Sequence, residues 1–109
     1  MRASKQVTVN IKGSPWIIKL FTKKQYEKLH GCDSGGITIS KDKQIHLIKT
    51  ELIPENVRHE IFHAFVEESN TASSNLDADQ MEELCATIMG CHGIKIITLA
   101  DYILTQFLI

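Results

Sequence analysis

The chain has 109 residues, with 12 Lys and Arg against 13 Asp and Glu, and 43% of it is hydrophobic. That suits one domain with a small core of its own, and it excludes intrinsic disorder. A formal net charge of −1 removes the electrostatic case for a nucleic-acid-binding surface.

Val7, Val9 and Ile11 alternate with polar residues, the period of a half-buried strand. A turn at Gly13-Ser14-Pro15 leads into Trp16, Ile18 and Leu20, which continue the alternation, so the two segments read as a hairpin or adjacent strands. Thr22 and Gln25 have the spacing of a capping box, Phe21 and Tyr26 that of a hydrophobic staple, and Gly31 closes the short helix they open. A Gly/Ser/Asp cluster over 32–36 is a turn. A second hairpin follows, with Ile37 and Ile39 on one strand and Ile45 to Ile48 on the other. Pro54 suits the first turn of a helix that runs to about Glu68. Small polar residues from Ser69 to Leu76 form a loop. Asp77 and Gln80 cap a helix that reaches Met89 or His92, Gly93 breaks it, and a last helix covers about 97–108.

Lys95, Thr98, Asp101, Thr105 and Gln106 interrupt the most apolar stretch, so no run reaches the roughly 18–20 residues that span a bilayer. No signal peptide is visible, and three cysteines without a CxxC fit a reduced, cytoplasmic setting. The expectation is one domain over 1–109, with no membrane and no direct nucleic-acid partner.

The chemistry-bearing motif is His59-Glu60-Ile61-Phe62-His63, an HExxH. On a helix the two histidines are one turn apart on one face and can reach a single Zn²⁺. Glu60 is rotated about 100° from His59, which suits it to act as general base on a metal-bound water rather than as a ligand. A catalytic zinc usually takes three protein ligands. On the next helix Glu82 sits at the edge of the apolar stripe Met81, Leu84, Cys85 and Ile88, whereas Glu83 faces away. Glu82 is therefore the expected third ligand, with Glu67, Glu68 and Asp77 as weaker alternatives. His46, His92 and Tyr102 are candidate oxyanion stabilisers, and spacing does not choose among them. Arg58 could pair with a helix carboxylate. The strand at 45–48 is the candidate edge for an extended substrate.

HExxH, a polar loop and then Glu82-Glu83-Leu84-Cys85-Ala86 resembles the ImmA/IrrE metallopeptidases, gluzincins that include small phage- and prophage-borne members. Their second helix carries Glu-x-x-[Ala/Cys]-[Asn/Asp]. Glu82 and Cys85 match this pattern; Ala86 departs from it. The resemblance covers about Ile37 to Gly90. It implies a zinc-dependent endopeptidase with Glu82 as third ligand, acting on a protein or peptide substrate, in some members a helix-turn-helix repressor. The expected fold is α+β: a minimal zincin-like domain with a small antiparallel sheet packed against the HExxH helix and two further helices.

Other readings compete. Two buried histidines can be hydrogen-bonded core residues rather than ligands. His30 and Cys32 with Cys91 and His92 could form a separate structural zinc site, although the spacings are not the usual ones. A catalytically silent zincin-like binding or regulatory protein is the alternative of a different class. Glu60 argues against it, because a structural site needs no base. The apolar end of the last helix also allows a partner-dependent subunit.

Overall fold

The computed structural model describes residues 2–31, 34–69 and 76–109. Strands β1 (Lys5–Ile11) and β2 (Ser14–Phe21) form the first hairpin. Its turn is tighter than expected. Lys12 (φ 52°) and Gly13 (φ 89°) alone make it, the two-residue primed turn that matches strand twist. Ser14 and Pro15 already belong to β2. Helix α1 (Lys23–His30) has the predicted capping box at Thr22 and Gln25 and ends on Gly31 in the left-handed region, φ 67°. Phe21 and Tyr26 share one apolar cluster with Ile48, as the staple requires. The second hairpin is β3 (Gly36–Ile39) with β4 (Gln44–Ile48). Helix α2 (Pro54–Ser69) begins on the predicted proline, and α3 spans Ala78–Leu108. The expected turn at Cys32 and Asp33 and the loop over 70–75 lie outside the described residues.

The fold is α+β, but the sheet is mixed rather than antiparallel. Its order is β1-β2-β4-β3, and β2 runs parallel to β4. Strand β3 starts at the level where β2 ends, since Leu20 and Gly36 both stand opposite Leu47, and runs back along the outer side of β4, so β4 docks beside β2 in the same direction, with helices over both faces. Alternation then decides which side chain faces which helix. Val9, Trp16, Ile18, Leu20, Ile45 and Leu47 share one core with Val57, Ile61, Ala64 and Phe65 of α2 and with Ile88 to Phe107 of α3. On the opposite face Phe21, Ile37, His46 and Ile48 meet α1. Strand β4 is buried on both faces and hydrogen-bonded on both edges, so it is no free edge. The edge is β3.

The predicted break at Gly93 does not occur: two expected helices are one helix of 31 residues. Ile88, His92, Ile96, Ala100, Ile103 and Phe107 continue one stripe at helical spacing through the glycine, and all but the half-buried His92 are buried. Packing of that stripe outweighs the ~1 kcal/mol helix penalty of a glycine. Nothing lies within 4 Å of a Cβ built on Gly90, and only the Met89 methyl, at 3.7 Å, is near one on Gly93. Gly90→Ala and Gly93→Ala should therefore each raise stability by about 0.5–1 kcal/mol, seen as a higher denaturation midpoint. A lower midpoint at either position would mean that the helix is broken there.

By length and composition α3 could cross a membrane, with an 18-residue window of mean hydropathy 1.3. Its buried stripe packs on the sheet and α2, while 22% of that window is buried. At its far end Lys5 Nζ donates to the carbonyls of Phe107 (3.2 Å) and Ile109 (2.9 Å), satisfying acceptors that a helix C-terminus leaves open.

Candidate metal centre

The HExxH motif lies in the middle of α2, where the helix passes under the edge strand β3. Its apolar residues point into the core, and this fixes the direction of the others. Ile61, Ala64 and Phe65 are buried, which leaves His59 and His63 on the exposed side. Their Nε2 atoms are 3.1 Å apart, one ring's N–H donating to the other, with ring centroids at 4.7 Å. Two nitrogens bound to one tetrahedral zinc at about 2.0–2.1 Å stand about 3.3 Å apart. The pair therefore fits two positions of such an ion with a small opening of the side chains.

Glu60 points the other way, toward β3, and is only 7% exposed. Its Oε1 accepts a hydrogen bond from Thr38 Oγ1 at 2.8 Å, and the same hydroxyl lies 3.1 Å from the Glu60 carbonyl. Gly36, two residues before Thr38 on the same face of β3, makes this close approach feasible. A Cβ there would stand 3.2 Å from Glu60 Cγ, from the His46 carbonyl oxygen and from a Leu47 methyl. A cavity of about 360 Å³ opens between β3 and α2, its walls including Thr38, Ser40, His59, Glu60, His63 and Glu67. A second, of about 400 Å³, reaches His59 and Glu60 from the side of Ser34, Gly35, Glu55 and Asn56. The histidine pair and the carboxylate thus share one groove along a strand edge.

Glu82 is not brought to this groove. Phe65 meets His92 with ring centroids 5.4 Å apart, and Arg58 reaches Asp101 at 3.8 Å, so α3 runs antiparallel to α2. Glu82 lies ten residues before His92, about 15 Å along the helix at ~1.5 Å per residue, whereas α2 ends four residues after Phe65. Glu82 is exposed at a level beyond the end of α2. Among the described residues no group of three or more His, Cys, Asp and Glu side chains is placed to hold a metal ion.

The weaker alternatives separate clearly. Asp77 caps α3. Glu68 accepts from Trp16 Nε1 at 2.9 Å and from Ser14 Oγ at 3.2 Å, and pairs with Lys43 at 3.0 Å. Burial alone would raise its pKa, but the hydrogen bonds from Lys43, Trp16 and Ser14 outweigh that and hold it below the usual carboxylate range. Glu67 alone of these lines the cavity with both histidines.

None of the three candidate oxyanion stabilisers lines either cavity beside the motif. His46 faces α1 on the far side of the sheet, bonded to His30 and Gln44. His92 and Tyr102 line a separate cavity against α3. His30 and His92 lie on opposite sides of the sheet, so the structure does not assemble the alternative Cys/His site; Cys32 lies outside the described residues. The Arg58–Asp101 pair is solvent-exposed and contributes at most about 1 kcal/mol. Gly36 and Thr38 are the site residues that the motif search missed. Their two-residue spacing, in phase with Ile45 and Leu47 across the hairpin, was the available signal.

No protein-family model matches the chain, and neither the curated proteins nor the solved structures give a match.

Proposed function

We propose that this protein is a zinc-dependent endopeptidase of the cytoplasm. His59 and His63 hold the metal, Glu60 is the general base, and a protein or peptide segment is the substrate. The observation that carries this reading is the convergence of two imidazole Nε2 atoms beside a buried carboxylate in a groove bordered by an exposed strand edge. When bound, zinc supplies a Lewis acid for the peptide carbonyl and lowers the pKa of its water toward ~7. Glu60 takes the proton of the attacking water and passes it to the leaving amine. Thr38 holds one carboxylate oxygen by donating to it, which leaves the other for that exchange. The outer edge of β3 offers unpaired backbone groups to an extended chain. A regulatory protein such as a repressor is the substrate class that the resemblance adds.

Glu82 as third ligand requires a form of the chain in which α3 does not carry it past the end of α2, whereas Glu67 already lines the cavity with both histidines. The Glu82→Ala variant separates the cases. A fall in zinc affinity assigns the third position to Glu82, and unchanged affinity leaves it to Glu67, water or substrate. The absence of a third ligand among the described residues favours the second reading, a binding protein that keeps the histidine pair without turnover. Unstructured peptides incubated with zinc-loaded protein decide between them. Cleavage that a chelator stops and added zinc restores is expected for the peptidase. No cleavage at full zinc occupancy identifies the binding protein.

A further inference from the structure

A cavity of about 600 Å³ lies away from the histidine pair and shares no residue with its groove. It opens between the β1–β2 turn and α3. Phe65, Ile94, Leu99 and Tyr102 give it apolar walls. Its size falls in the usual range for small-molecule sites, roughly 300–1,000 Å³.

Three observations define what it would take. Among the described residues of its wall the charged ones are Lys12 and Lys95, and none is a carboxylate, so its field favours an anion. Lys12 sits in the left-handed region at φ 52°, a position that Asn, Asp or Gly fills more readily. The turn therefore holds a cation at the cavity mouth at some backbone cost, with its ammonium resting on Ser69 Oγ at 2.9 Å. Finally, His92 lines the cavity and sets an imidazole among its apolar walls. Apolar walls, two cations and an imidazole together match a molecule with a greasy body and one acidic head.

We infer that this cavity binds a small apolar carboxylate, with the chain or ring against Phe65, Leu99 and Tyr102 and the carboxylate between Lys95, Lys12 and His92. Octanoate and octylammonium, which have the same chain length and opposite head charges, test this by titration into the full chain with backbone amide NMR. Octanoate should give saturable shifts confined to residues 10–13, Phe65 and its neighbours, and residues 92–102, and octylammonium none. Lys95→Gln and Lys12→Gln are surface changes that spare the fold, and each should weaken octanoate about fivefold or less. Four results would overturn the inference: no saturable shift with octanoate, shifts elsewhere in the chain, equal binding of the two head groups, or movement of the same resonances on simple dilution of the protein. The last would identify a second copy of the chain as the occupant.

Discussion

Glu60→Gln is expected to lower the rate of peptide cleavage by about 10²–10⁴-fold, the usual contribution of a general base, while zinc affinity stays unchanged. The substitution is unusually clean here. Glu60 Oε1 accepts from Thr38 Oγ1 at 2.8 Å, and a glutamine amide oxygen accepts the same bond, so the contact between α2 and β3 survives. His59 and His63 lie on the exposed side of the helix and bond to each other rather than to Glu60. What disappears is the ability to take a proton. Thr38→Val is the companion variant: it keeps the base and removes the donor that orients it, so it should slow cleavage less than Glu60→Gln. Retention of full activity in Glu60→Gln, measured by mass spectrometry of peptide products, would remove Glu60 from the mechanism.

The second large effect is on stability rather than on turnover. His46 is 7% exposed, and its pKa is lowered to about 4, first by burial and then by His30 and Lys19, with Asp42 opposing. The bonding explains why the neutral form is required. His46 Nε2 donates to Gln44 Oε1 at 2.9 Å, so Nδ1 is the acceptor for His30 Nε2–H, also at 2.9 Å. A proton on Nδ1 would set two donors face to face. The folded pKa lies below the ordinary value of 6.5, so the contribution of His46 is complete above pH ~6.5. It is lost as pH falls from there toward 4, because the unfolded chain takes the proton first. At ~1.36 kcal/mol per unit, this side chain alone should cost about 2 kcal/mol of stability by pH 5. Denaturant midpoints between pH 7.5 and 5 measure the slope, and His46→Phe should flatten it. An unchanged slope in that variant would assign the effect to other groups. Glu68, held below the usual carboxylate range, loses its contribution only at lower pH, so the two windows separate.

Local signals in the sequence were read well where one short segment decides the outcome. Both capping boxes, the glycine after α1 and the proline opening α2 depend on residues that recognise each other within a turn. The two hairpins were legible from alternation. The parallel pairing of β2 with β4 was not, because it depends on β3 lying outside β4 rather than beside β2, which no local pattern encodes. The continuity of α3 was missed for a related reason. Gly93 is a real local penalty, and the stripe that overrides it extends from Ile88 to Phe107. That continuity then moves Glu82. A broken helix could fold back toward the histidines, whereas a continuous one carries Glu82 past the end of α2. The HExxH geometry itself was legible, because helical spacing alone brings His59 and His63 together.

Zinc titration of the chain labelled with ¹⁵N-histidine tests the central claim most directly. The account predicts one zinc per chain, with large shifts at the ring nitrogens of His59 and His63, little change at His30, His46 and His92, and loss of binding in the His59→Ala/His63→Ala double variant. Zinc bound at full stoichiometry in that double variant, or no saturable binding to the wild-type chain, would contradict it.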